Sequence, residues 1–302
     1  MNIFKKTTLA LAISALAGGA MAQSAPAPAP EPEKSPITAN VTITNDYRYR
    51  GISQSNFKPA IQGGFDYAHE SGFYIGNWNS SISWISDANG PKGAVGGSTT
   101  AGTSVSAPVE MDFYAGFKKE LIGAGFASDI GVLQYYYPSS GAYNTGSPAT
   151  FVNPNTTEIY LAQNFTFGAL TGFVKFSYAV STLFGNPNSQ GSYYPDLTLN
   201  YDTGIWGLSL NGHVGYQYVA GQFVTGATGY NGAIFTGKSN SSVLSYTDWK
   251  LGVTKDFGGG LSLALSYVDT NAQTVQGFPA YVSPQGKNLG RAGGLVSLTK
   301  TF

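Results

Sequence analysis

The chain of 302 residues has no cysteine, only two histidines, and few charges: 16 Lys+Arg against 16 Asp+Glu, 11% in all. Without cysteine there is no disulfide framework and no thiolate metal site. His69 and His213 are far apart in the strand order derived below, so no histidine-centred metal site and no cofactor are expected. A formal net charge of zero leaves no electrostatic footprint for nucleic acid. Past the first residues, no apolar run reaches the roughly 20 residues that a spanning helix needs. The charged fraction is less than half that of ordinary soluble domains.

What the chain does have is 40 Gly, 20 Tyr and 18 Phe. Low charge, abundant Gly and Tyr and no spanning helix together fit a transmembrane β-barrel, which is apolar outside and polar inside. The final segment, LGRAGGLVSLTKTF (289–302), shows the pattern. Ala292, Gly294, Val296, Leu298 and Phe302 share one side of an extended chain. Gly293, Ser297, Thr299 and Thr301 share the other. A period of two is that of a half-buried strand.

The N-terminus reads as an export leader over 1–22. Lys5 and Lys6 give the positive start, 9–16 a short apolar core, and Ala20-Met21-Ala22 a small-x-small cleavage site. Its removal takes away two positive charges. Residues 23–37, QSAPAPAPEPEKSPI, carry Pro at alternate positions and no apolar face, so an extended, disordered Pro/Ala-rich lead is expected. The remainder, 38–302, reads as one all-β domain.

Twelve alternating segments follow, at 40–50, 60–68, 73–85, 109–118, 126–137, 157–167, 172–182, 193–201, 207–218, 246–255, 261–268 and 289–302. Val41, Ile43, Tyr47 and Tyr49 are expected outward on the first, with Asp46, Arg48 and Arg50 inward. On the third, Tyr74, Trp78, Ile82 and Trp84 are expected outward. The odd-numbered connections are long (51–58, 86–106, 138–155, 184–192, 219–243, 269–287). The even-numbered ones are turns of two to five residues, including one at 118–120. This asymmetry and the even strand number predict a single antiparallel outer-membrane barrel. Both termini would be periplasmic and the long loops extracellular. Closure also removes the edges that polar-faced strands would expose. Tyr74, Trp84, Tyr201, Trp249 and Tyr267 fall near strand ends and are candidates for aromatic girdles. Phe302, at the end of the last strand, is the expected signal for periplasmic chaperones and the barrel-assembly machinery.

Asn45–Gln54 (NDYRYRGISQ) resembles the opening signature of the TorF family of porins. Similar matches occur at 59–67 (PAIQGGFDY), 71–74 (SGFY), 135–138 (YYYP), 248–253 (DWKLGV) and 299–302 (TKTF), so the resemblance covers nearly all of the chain from about residue 38. It implies an outer-membrane barrel with a porin-like role and brings no catalytic or ligand residues with it. Lys300 stands where barrel-assembly signals usually carry an apolar or aromatic residue. It agrees with the family ending and can snorkel to lipid headgroups.

The lumen is therefore where function is sought. Arg48, Arg50 and Arg291 come from the first and last strands, which are neighbours in a closed barrel. They are expected to cluster opposite Glu110, Asp112 and Glu158, with Lys175 and Lys250 also inward. One reading is a constriction favouring anions. The other is a salt-bridged interior that stabilises the wall. Passive diffusion of a small hydrophilic solute follows from the first. A surface receptor, or a structural barrel with a closed lumen, follows from the second. An enzymatic site would need a Ser and a His at the lipid face, whereas His213 points inward on this register. Lipid and lipopolysaccharide are the expected surroundings. No strand has an unusually polar outer face, so a monomer is expected.

Overall fold

The computed structural model describes residues 35–88, 106–139, 152–224 and 235–302. The leader at 1–22, most of the Pro/Ala-rich segment, and parts of the connections at 86–106, 138–155 and 219–243 lie outside the described residues. Twelve long strands close into a barrel in which every pairing is antiparallel and all but the closing one join consecutive strands. They are β1 (Ile37–Thr44), β2 (Ala60–Ala68), β3 (Phe73–Ser81), β4 (Val109–Gly123), β5 (Phe126–Tyr136), β6 (Thr156–Phe167), β7 (Leu170–Ala179), β8 (Tyr193–Asp202), β9 (Leu208–Gln217), β10 (Tyr246–Asp256), β11 (Leu261–Thr270) and β12 (Gly293–Thr301). No helix among the described residues is long and apolar enough to cross a membrane.

The alternation seen in the sequence becomes an inside and an outside. On β6, Ile159, Leu161 and Phe167 are exposed while Glu158 and Ala162 are buried. Exposed apolar side chains circle the barrel, among them Ile43, Ile61, Phe113, Ile130, Leu210 and Leu251. An apolar surface of this extent far exceeds that of a water-soluble monomer. The short turns sit at the end carrying both termini, and the long connections at the opposite end. β12 closes on β1 from Asn40↔Thr301 to Thr44↔Ser297. The Thr42 and Thr299 hydroxyls meet there on the inner face at 2.8 Å.

Three expectations are corrected. β1 ends at Thr44, not at residue 50, and the chain turns into the barrel. Tyr47 and Tyr49, expected toward lipid, are 3% and 7% exposed. The Asn45 side chain takes over the next rungs of the ladder, donating to Gly294 O and accepting from Val296 N, so the backbone is free to leave the wall. β3 has the opposite facing: Phe73 and Ile75 are exposed, whereas Tyr74 and Trp78 are buried inside. β3 also stops at Ser81, and Trp84 lies in a helical turn (Trp84–Ala88). Finally, β4 runs past 118–120 to Gly123, with a register shift between Glu120 and Gly123.

Candidate functional site: an inward segment that crosses the lumen

Residues 45–59 connect β1 to β2 through the barrel interior. A small hairpin (Arg48–Tyr49 with Ile52–Ser53) forms their core. Its turn uses left-handed φ at Arg50 (45°) and Gly51 (78°). A Cβ on Gly51 would collide with Thr270 and Asp248, so the close approach to the wall needs glycine.

Most polar groups of the hairpin have a defined partner, the buried Arg50 Nε being an exception. Asp46 accepts from Arg48 Nε and, at 2.6 Å, from Ser53 Oγ. The Arg48 guanidinium also donates to the carbonyls of Gly51 (2.8 Å), Leu289 (3.3 Å) and Arg291 (3.0 Å), fastening the segment to the approach to β12. Tyr47 Oη donates to Glu110 Oε1 at 2.5 Å, and Tyr137 Oη to Glu110 Oε2 at 2.6 Å. Tyr49 Oη meets Tyr135 Oη at 2.8 Å. Burial, and then the charge of Glu110, pushes the Tyr47 and Tyr137 phenols well above their ordinary range, so both remain neutral donors.

Arg50 reaches the far wall. It donates to both carboxylate oxygens of Glu158 on β6 (2.7 and 3.0 Å) and to Gln217 Oε1 on β9 (2.5 Å). Its Cζ lies 4.1 Å from the Tyr194 ring centroid and 4.8 Å from that of Tyr49. The Arg50 and Glu158 side chains are 3% and 2% exposed. The segment is thus tied to both sides of the barrel. Two apolar clusters flank it, one around Tyr47, Tyr49, Trp78, Tyr135 and Tyr137, the other around Leu183, Val219, Phe235, Val243 and Leu244.

The expected arginine cluster splits. Arg48 and Arg291 stay together, with their guanidinium carbons 5.1 and 4.5 Å from the Phe57 ring centroid, and Arg291 is exposed. Arg50 turns away to the opposite wall. Of the three carboxylates expected to face arginines, only Glu158 does. Glu110 is held by two phenols, and Asp112 Oδ1 is buried without a hydrogen-bond partner. Lys175 and Lys250 are inward and half-buried. Tyr201, Trp249 and Tyr267 are outward, and the Trp249 and Tyr267 rings pack 5.2 Å apart. Tyr74 is not in a girdle: its hydroxyl donates to Asp129 at 2.6 Å and meets that of Tyr160. Nor is Trp84, whose ring packs edge-on against Tyr137.

Two arrangements escaped the sequence reading. The first is a hub on β8–β10. His213 Nδ1 lies 3.1 Å from Asp196 Oδ1, and its Nε2 lies 2.9 Å from Asp248 Oδ1. Tyr194 Oη donates to Asp248 Oδ2 at 2.8 Å. The second is a set of tyrosines lying over glycines of the adjacent strand: Tyr114 over Gly76, Tyr74 over Gly116, Tyr160 over Gly131 and Tyr194 over Gly215. A Cβ at any of these glycines would collide with the ring. The glycine leaves room for the ring, and the ring covers the exposed backbone.

The model of the family described as a bacterial protein of unknown function, Gcw_chp, matches residues 30–302. The chain belongs to the Gcw_chp family. No curated protein matches it. Among solved structures, this Gcw_chp chain is similar to the KdgM porin in complex with disordered oligogalacturonate, at 8% identity and a TM-score of 0.45, covering 88% of this chain and 98% of that one. The NanC porin gives 9%, 0.48, 88% and 98%. OprD of Pseudomonas aeruginosa gives 11%, 0.37, 90% and 67%. At these identities no residue is carried across.

Proposed function

We propose that this Gcw_chp protein is an outer-membrane channel for passive diffusion of small hydrophilic solutes, narrowed by the inward segment 45–59. The observation that carries the reading is the inversion of the wall, with apolar side chains exposed outside and charged or hydroxylated ones inside a closed barrel. An apolar exterior belongs in lipid, and a wet, polar lumen is what such a barrel encloses. The leader-like residues 1–22 and the TorF-like motifs support export and a porin role. In this reading the termini face the periplasm and the long connections face outward. Phe302 serves recognition by the assembly machinery, lipid and lipopolysaccharide surround a monomer, and Lys300 lies at the headgroup level. No step of this role calls for enzymatic chemistry.

The current leans weakly toward anions, because Arg291, Lys58 and Lys287 are exposed among the long connections. A second reading has its own support. The Arg50 bridge to Glu158 and Gln217 suits a lumen closed at rest, as in a structural barrel or surface receptor. Single-channel current of the refolded chain in a planar bilayer under a salt gradient decides between them. Discrete steps support diffusion. A heat-modifiable barrel that inserts and stays silent overturns it in favour of the closed-lumen reading.

A further inference from the structure

The inner face carries a continuous row of register partners that starts near the end with the termini and climbs to the level of the inward segment, where Asp248 lies against Gly51. It runs Lys118↔Asp129↔Ala162↔Lys175↔Asp196↔Gly215↔Asp248, from β4 to β10. Its acidic and basic members are treated differently. Each carboxylate has a side-chain donor. Asp129 is held by Tyr74. Asp196 is held by Thr198 (3.1 Å) and His213. Asp248 is held by Tyr194 and His213. The lysines are not matched in return. Among the described residues Lys118 hydrogen-bonds Asn164 Oδ1, at 3.1 Å, and no carboxylate. Among the described residues, neither Lys175 nor Lys250 makes an ion pair with any of the carboxylates. The Lys175 ammonium instead lies 5.9 and 5.5 Å from the ring centroids of Tyr160 and Phe173.

A wall that only neutralised itself would pair Lys175 with Asp196, its direct register neighbour. Asp196 turns instead to His213, the register neighbour of Lys250. Both half-buried lysines are therefore left without an ion pair among the described residues, while each carboxylate of the row has a side-chain donor. Next to them, toward the terminal end, is an uncharged strip in which Asn211 donates to Asn200 and Thr254 donates to Asn211, both at 2.8 Å.

We infer that Lys175 and Lys250 flank a binding site for a small, hydroxyl-rich solute with one anionic head, carboxylate or phosphate. On binding, the Lys175 and Lys250 side chains swing from β7 and β10 onto the head over the intervening β8 and β9, and the hydroxylated body lies along the Asn200, Asn211 and Thr254 strip. Ammonium groups bind such a head as point charges and accept either chemistry. Because net charge along the row is nearly balanced, the site selects by positioned donors, and bulk ion selectivity stays low. This inference rests on the diffusion reading for its physiological meaning and is tested independently of conduction.

The test is isothermal titration of the full chain, refolded in detergent, with four probes of similar size: gluconate, sorbitol 6-phosphate, sorbitol and N-methylglucamine. Gluconate or the phosphate is expected to bind, and the one that binds names the head. Sorbitol and N-methylglucamine are expected not to bind. Lys175→Gln and Lys250→Gln should each weaken binding by about tenfold, whereas Lys119→Gln on the exposed outer side should not. Equal binding of gluconate and sorbitol by the unmodified chain overturns the site, as does binding indifferent to both lumen substitutions in variants that retain heat-modifiable mobility. Liposome uptake of the same probes separates the two readings. Anion binding without flux of any probe overturns diffusion and leaves the site. Equal flux of all four without binding overturns the site and leaves diffusion.

Discussion

Replacing Arg50 with Met isolates the bridge that holds the inward segment against the far wall. The methionine keeps much of the apolar stem and removes the guanidinium. Three hydrogen bonds are lost, two to Glu158 and one to Gln217. Glu158 is left buried with one remaining side-chain donor, Tyr135 Oη, at 3.5 Å. Removing one partner of a buried ion pair costs about 3–5 kcal/mol, most of it from the stranded charge. Glu158→Gln in the same background removes that charge, so the double variant should recover all but about 1–2 kcal/mol. The coupling in a double-mutant cycle is then about 1–4 kcal/mol plus the cost of Glu158→Gln alone, which strands Arg50, and so exceeds the 0.2–1 kcal/mol of an exposed pair. Displacing only the segment is easier than opening the wall, because the barrel keeps its ladder hydrogen bonds. At about 1.4 kcal/mol per factor of ten, the single substitution should raise the population of the displaced segment by more than tenfold. The assays are open-time fraction in planar bilayers and the midpoint of heat-modifiable mobility. Additive effects of R50M and E158Q in both assays would refute a latch made by this pair.

Three further outcomes follow from the wall. Leu251→Arg, at a central β10 position that is 61% exposed, should cost about 2–4 kcal/mol when the barrel folds into bilayers. It should cost little in detergent, and equal losses in both media would contradict a lipid-facing surface. Gly116→Ala drives a methyl into the Tyr74 ring and should cost about 1–3 kcal/mol. Because the Ile130 carbonyl oxygen occupies the same space, Tyr74→Ala should return only the ring's share, and strict additivity of the two substitutions in chemical unfolding would refute the ring–glycine joint. Asp112→Asn replaces a buried carboxyl group whose Oδ1 has no partner and should raise unfolding stability by about 1 kcal/mol or more. A loss of stability would mean that the carboxylate is needed as such.

The wall was largely legible in the sequence because alternation and loop length both survive averaging over twelve segments. Failures came where a single segment had to decide. NDYRYR keeps its period of two beyond Thr44, yet periodicity does not say whether a neighbour is there to pair with. The Asn45 side chain, by completing the ladder at β12, is what allows the chain to leave. On β3, aromatics occupy both faces, so a one-residue choice of parity reversed Tyr74 and Trp78. The arginine cluster failed because neighbouring backbones do not commit long side chains to one direction. Arg50 extends toward β6 and β9, five and four strands away around the ring. The His213 hub and the Tyr–Gly joints could have been found by aligning inward positions across strands. In three of the four joints the ring and the glycine are direct register partners.

The seam between β1 and β12 has a consequence in time. Thr42 and Thr299 meet across a separation of 257 residues, so the seam they belong to closes the longest loops among the described residues and is entropically the last to be favourable. During synthesis the first strand emerges with its partner still unmade. Until closure, β1 and β12 are two open edges on one molecule, each able to pair with another chain. The interval between translation of β1 and closure of the seam is therefore the vulnerable period of this protein's life, and an escort is most valuable then. The same geometry makes the seam the natural gate for lateral insertion, since it can stay open while the other eleven strand pairings are already formed.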